Sequence, residues 1–167
     1  MIEIQSVIYK QTVNKNDLLK LEQMAEQSDW KRARICLHDH DSIEMHQMII
    51  AVLKQSYIPP HRQVGSKKGY LILKGKLELM FFDDFGTHFK SEILCKDDSE
   101  IPLALMFDAG QYHTVQAISN VCIFLEARSS MWSSEAEFAP WAPDRNNTDL
   151  GRKFLSKLTT YVKEKGK

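Results

Sequence analysis

The stretch Tyr57–Leu79, YIPPHRQVGSKKGYLILKGKLEL, places His61 and Gln63 two residues apart. On an extended chain such a pair projects to one side. An imidazole and a side-chain carbonyl oxygen can both donate to a divalent ion. Small β-barrels hold Zn, Fe, Mn, Ni or Cu with His-x-His on one strand, an acid on the next and another His on a later strand. The charged residues that follow, Lys67 and Lys68, have the wrong sign for this work. An ammonium about 4 Å from a divalent ion repels it by several kcal/mol at an effective dielectric of about 20. Lys68 therefore either points away or fills the space an ion would take. A buried lysine has a depressed pKa and can act as a base or an amine nucleophile. The polar run VGSKKG instead favours a solvated loop lysine, and that is the expectation here. Arg32, Arg34 and His38 alternate along one face of WKRARICLH. They form either a clamp for a phosphate or carboxylate or a solvated strand face. Glu126, at the end of VCIFLEA, is expected at the surface; the alternatives are an ion pair with an inward arginine or service as a substitute acid.

These side chains need strands to aim them. Between residues 69 and 125 lie six short apolar segments, YLILKG, KLELMFF, THFKSEIL, ALMF, HTVQAI and VCIFLEA. Turn signals separate them, and this spacing without intervening helices predicts an all-β sandwich or barrel. FFDDFGTHF predicts a hairpin in which Gly86 takes a positive φ. A strand is expected over 30–38, and another in the second half of 43–54, where Ile49, Ile50 and Val52 are β-branched. Leu18, Leu19, Leu21 and Met24 recur at helical spacing over 16–28, with Asn16 or Asp17 as the expected cap. Residues 129–148 read as an ordered loop anchored by Trp132, Phe138 and Trp141. Leu150, Phe154, Leu158 and Tyr161 or Val162 mark an amphipathic helix over 149–165. The expected organisation is one domain over 1–167 with its barrel core at about 30–128.

Composition narrows the function. Lys plus Arg equals Asp plus Glu at 22 each, so no net field draws nucleic acid or an anionic membrane. No signal-peptide pattern and no long apolar run is present, and Cys36, Cys95 and Cys122 form no CxxC, so a cytoplasmic protein with free thiols is expected. GxxxxGK[ST], GxGxxG after a strand and GxSxG are all missing from the sequence.

At the residues quoted first, the chain resembles the cupin superfamily. The first cupin motif is a His-x-His pair, an acid and a closing glycine. HRQVGSKKGYLILKG meets it with His61, Gln63 at the second histidine, Lys68 at the acid and Gly75 at the glycine. The second motif is Pro-x-Gly-x-x-His, met by DAGQYH with Asp108 in the proline place, Gly110 and His113. RARICLH, SYIPPHR, FFDDFG and EFAPWAP, in that order, resemble the WbuC-type cupin family over about residues 10–143. Those proteins occur with surface-polysaccharide genes and are described as cupin-fold metalloproteins. The resemblance implies a cupin-type double-stranded β-helix, a jelly-roll barrel, with a short N-terminal helix and a C-terminal amphipathic helix. It implies either a divalent metal (Zn, Fe, Mn or Ni) at His61, Gln63 and His113, or a metal-free remnant. It further implies a small polar, sugar-derived molecule in the barrel with Tyr112 on the pocket wall, and a homodimer; Arg34, His38 and Lys68 are the other expected substrate contacts, and the charge balance leaves nucleic acid and membrane out as expected partners. Three functions follow, of which interaction through dimerisation at the barrel edges is the third. One is metal-assisted isomerase- or epimerase-like chemistry, with the ion as Lewis acid. The second is a non-catalytic binding protein that has lost its metal.

Overall fold

The structure is a computed structural model that describes residues 7–38, 44–129 and 135–165, with side chains up to residue 158. Thirteen elements follow one another: β1 (Val7–Tyr9), α1 (Lys15–Gln27), β2 (Arg32–Cys36), β3 (Met45–Leu53), β4 (His61–Arg62), β5 (Lys67–Lys74), β6 (Lys76–Phe82), β7 (His88–Cys95), β8 (Ala104–Asp108), β9 (Tyr112–Ala117), β10 (Val121–Ser129), β11 (Glu137–Phe138) and α2 (Thr148–Lys165). The strands form a six-stranded sheet, β1-β2-β3-β10-β5-β8, and a five-stranded sheet, β11-β4-β9-β6-β7. Sequence neighbours such as β4, β5 and β6 alternate between the two sheets, as in a jelly roll. Every pairing is antiparallel except β1 with β2.

Alternation along the strands builds three apolar layers. Tyr70, Ile72, Cys122 and Phe124 of the larger sheet meet Leu77, Leu79, Leu94 and Val115 of the smaller one between the sheets. Leu21 and Ala25 of α1 cover the outer face of the larger sheet, against Ala33, Ile35, Ile49, Ala51 and Ile123. Leu155 of α2 and Ala139 cover the outer face of the smaller sheet with Tyr57, Met80, Phe82 and Tyr112. Among the described residues no helix is long and apolar enough to cross a membrane.

The expected strands and both helices are present, and Gly86 takes φ +89° in its hairpin. The cap of α1 lies earlier than expected. Asn14 Oδ1 accepts from the Asn16 and Asp17 amides, and the Asp17 carboxylate accepts the Asn14 amide, a capping box. Two short strands go beyond the sequence reading. β1 pairs with β2 (Val7–Tyr9 against Arg34–Cys36), and β11 crosses the expected loop to pair with β4. Trp141 anchors that loop as expected, 5.2 Å from Phe82 between ring centroids. Trp132 and His40, and the side chains of Tyr161 and Val162, lie outside the described residues.

Candidate functional site

Residues directly opposite on neighbouring antiparallel strands share a sheet face. The inner face of the larger sheet is therefore a set of rows. Lys68, Arg128 and His46 are opposed in one row. Tyr70, Glu126, Met48 and Cys36 form the next. Ile72, Phe124, Ile50 and Arg34 form a third. Polarity falls along this series, so charge gathers at one end of the sandwich and the apolar core fills the other. In the smaller sheet His61 opposes His113, which opposes Phe81, and this row faces the charged end.

The two histidines converge on Lys68. Its Nζ lies 3.2 Å from His61 Nε2 and 3.2 Å from His113 Nε2. Nδ1–H of His61 donates to the Pro59 carbonyl at 3.0 Å, and Nδ1–H of His113 donates to the Gln111 carbonyl at 2.7 Å. Those acceptors assign the tautomer: each Nε2 keeps its lone pair and accepts from Lys68. Glu126 Oε1 stands 3.9 Å from the same Nζ, and Tyr70 stands directly opposite Glu126 across the β5–β10 pair. Two of the three ammonium hydrogens thus have imidazole acceptors, and the Glu126 carboxylate adds an opposite charge nearby. Burial, and next the charge of Lys68, pull His61 down to about 3. Burial, then His61 and Lys68, hold His113 well below the ordinary imidazole range. Lys68 is lowered by burial, with Glu126 opposing the shift. The histidines are thus neutral bases around one amine.

A cavity of about 600 Å³ opens onto this cage. His61, Gln63, Lys68, Glu126 and Arg128 line its inner part, and Arg32, Arg34, His38, His46, Trp30, Phe138 and Arg145 line the rest. The guanidinium groups of Arg32 and Arg145 lie 5.0 and 5.4 Å from the Trp30 ring, and Arg32 donates to the Tyr57 carbonyl at 2.6 Å. His38 Nδ1 stands 3.0 Å from the Gln47 carbonyl oxygen and 3.2 Å from the Gln47 backbone nitrogen. Arg128 Nη2 stands 3.1 Å from His46 Nδ1, while its buried Nε–H has no acceptor among the described residues.

Five expected site residues therefore meet at one cavity: His61, Gln63, Lys68, Arg34 and His38. His113, with no exposed surface, supports it from behind. Tyr112 does not belong there. It precedes His113 on β9, so alternation turns it to the outer face, where its hydroxyl donates to Glu137 at 2.9 Å and Arg62 covers its ring. The solvated loop lysine is also corrected. Lys68 is on β5 and 3% exposed, because strand pairing with β8 and β10 begins at once after VGS. Glu126 is buried rather than superficial, since it shares the face of Cys122 and Phe124. Phe138, expected as a packing anchor, is half-exposed at the cavity, 6.2 Å from the His61 ring. Arg128 and Arg145 were missed. For Arg128 the signal was available: Cys122, Phe124, Glu126 and Arg128 keep one period-two register.

Comparison with known proteins bears on the fold. The family described as "Domain of unknown function (DUF6016)" matches residues 13–94, just under half of the chain. No curated protein matches. The cupin domain of Cnp3 from Schizosaccharomyces pombe is similar at 12% identity and a TM-score of 0.47, over 60% of this chain and 62% of that one. The DMSP lyase DddQ from Ruegeria pomeroyi DSS-3 is similar at 15% identity and a TM-score of 0.51, over 67% of this chain and 54% of the lyase. The fold is of the cupin type, a two-sheet jelly roll like that of the lyase. The chain thus spans only about three fifths of the Cnp3 domain and about half of the lyase.

A cupin-type barrel with two converging imidazoles raises the question of a metal ion. Among the described residues no three His, Cys, Asp or Glu side chains come together as a metal-binding group. The donor set does not fit one either. Both Nε2 lone pairs are directed at Lys68 Nζ, and the position equivalent to the motif's acid contributes that cation. An ion between His61, Gln63 and His113 would have to displace a tethered ammonium from its acceptors.

Proposed function

We propose that this cupin-fold chain binds a small anionic molecule in its barrel, with Lys68 as a tethered cation in place of a metal ion. The observation that carries this reading is the seat of Lys68 Nζ, at hydrogen-bond distance from both imidazoles and next to Glu126. The cavity wall supports it. Among the described residues of the wall, Arg32, Arg34, Arg128, Arg145 and Lys68 face one buried carboxylate, Glu126, so this set carries excess positive charge. The buried Arg128 Nε–H has no acceptor among the described residues, and guanidinium groups grip carboxylates and phosphates through paired hydrogen bonds. The likeness to WbuC-type sequences adds a sugar-derived phosphate or acid of surface-polysaccharide metabolism as the class to try first.

The test combines metal analysis with thermal melting. After incubation with Zn, Fe, Mn and Ni salts, the purified protein is expected to carry no stoichiometric metal. Inorganic phosphate or a hexose phosphate is expected to raise the melting temperature and to be recovered unchanged. The free hexose is expected to have no effect, and Arg128→Gln to abolish the shift. A stoichiometric metal that disappears in His61→Ala and His113→Ala would overturn this reading in favour of metal-assisted isomerase- or epimerase-like chemistry.

A further inference from the structure

We propose that Lys68 is a nucleophile that forms an imine with a 2-oxo carboxylic acid held in the same cavity. The inference rests on the anion-binding reading and deepens it by naming a substrate class. Three features of the geometry support it. Lys68 lines the cavity, yet the residue is only 3% exposed, so an imine formed there is shielded from bulk water. Two neutral imidazoles point lone pairs at that nitrogen from 3.2 Å, so a proton acceptor is already in place. Arg128 stands directly opposite Lys68 across the β5–β10 pair. Directly opposed side chains start about 4.5–5.5 Å apart at Cβ. Both side chains line the same cavity, so one small ligand can offer a carbonyl to the amine and a carboxylate to the guanidinium. A 2-oxo acid, with those groups on adjacent carbons, meets that condition; a carbonyl compound without an acid does not.

The step balances within the site. An Nζ–H proton passes to His61 Nε2. The freed lone pair forms the C–N bond to the carbonyl carbon, and the carbonyl π pair moves onto oxygen. The imidazolium returns its proton to that oxygen, and His113 takes a second proton from nitrogen, leaving a neutral carbinolamine. His113 then protonates the hydroxyl, the nitrogen lone pair forms the C=N bond, the C–O bond breaks and water leaves. The sum is lysine ammonium plus ketone giving protonated imine plus water, with no oxidant or reductant. Glu126, 3.9 Å from Nζ, stabilises the cationic imine as it stabilised the ammonium.

The experiment is reductive trapping on the full chain with pyruvate and sodium cyanoborohydride, followed by peptide mapping and parallel melting curves. One adduct on Lys68 is expected, with a mass gain equal to pyruvic acid less one oxygen atom. Lys68→Arg, which keeps the cation, should remove it. Arg128→Gln should slow it roughly tenfold, the loss of one charge-assisted contact. Acetone should label Lys68 no faster than the surface lysines. Labelling confined to surface lysines, or unchanged in Lys68→Arg, would overturn the proposal, and mapping of the wild-type chain decides this even if a variant fails to fold. If pyruvate raises the melting temperature through Arg128 but leaves Lys68 unlabelled, the imine fails and anion binding stands. If no anion tested shifts the melting temperature and Lys68 stays unlabelled, both readings fail.

Discussion

The chemistry concentrates at one residue. A buried lysine is costly unless its hydrogens find acceptors and its charge a counter-charge, and Lys68 finds two imidazoles within hydrogen-bond distance and a carboxylate at 3.9 Å. Removing it alone leaves Glu126 buried beside unsatisfied imidazoles. Lys68→Met is therefore expected to lower stability by about 3–5 kcal/mol in urea unfolding. Adding Glu126→Gln should recover a large part of that loss, whereas simple additivity of the two losses would disprove the coupling. The histidines set a pH limit. His61 falls from 6.5 unfolded to about 3 folded, and His113 is lowered too. The unfolded chain therefore binds more protons in this range, so stability is complete above about 6.5 and declines as pH falls toward about 3. Melting temperatures between pH 7 and pH 4 should trace this fall, and His61→Gln should flatten it. The departures from the cupin motif can also be reversed. Lys68→Glu with Gln63→His restores a histidine pair and an acid beside His113, so this double variant should bind Zn stoichiometrically where the parent chain does not. Calorimetry or elemental analysis would show it.

At the scale of elements, strand register does most of the positioning. β5 carries Lys68 inward only because its pairing with β8 and β10 holds from Lys67 onward. Gly75 closes that strand at φ +79°, where a Cβ would run into Ser119 Oγ and the Val121 carbonyl. Gly75→Ala is expected to cost roughly 2–4 kcal/mol, combining the left-handed penalty with local crowding. It should also disturb the β10 row that carries Glu126 and Arg128. Chemical denaturation measures the first effect, and loss of anion binding measures the second. The strands were legible because their apolar segments alternate and their turns carry Gly and Asp. The cap of α1 was misplaced by two or three residues because Asn14, Asn16 and Asp17 are all competent capping residues. β1 was missed because a three-residue strand carries too little periodicity to read.

For the whole molecule, charge balance misleads. The chain is neutral overall, yet folding gathers four arginines and a lysine around one cavity. Anion affinity should therefore weaken as ionic strength rises, most for the charges near the mouth such as Arg34, and a salt series by calorimetry would show the slope. An affinity independent of salt would mean that the arginines do not contact the ligand. By itself the sequence determined the sandwich, both helices and the places of His61, Gln63, Gly75 and His113, because hydrophobic period and turn chemistry are local properties. It also showed the motif with Gln63 and Lys68 where a histidine and an acid belong. Only the tertiary structure decided what Lys68 does. Its direction depends on the register of β5 against two strands distant in sequence, and its acceptors come from the opposite sheet. Burial, tautomer and charge pairing are properties of that meeting, and no single stretch of chain contains them.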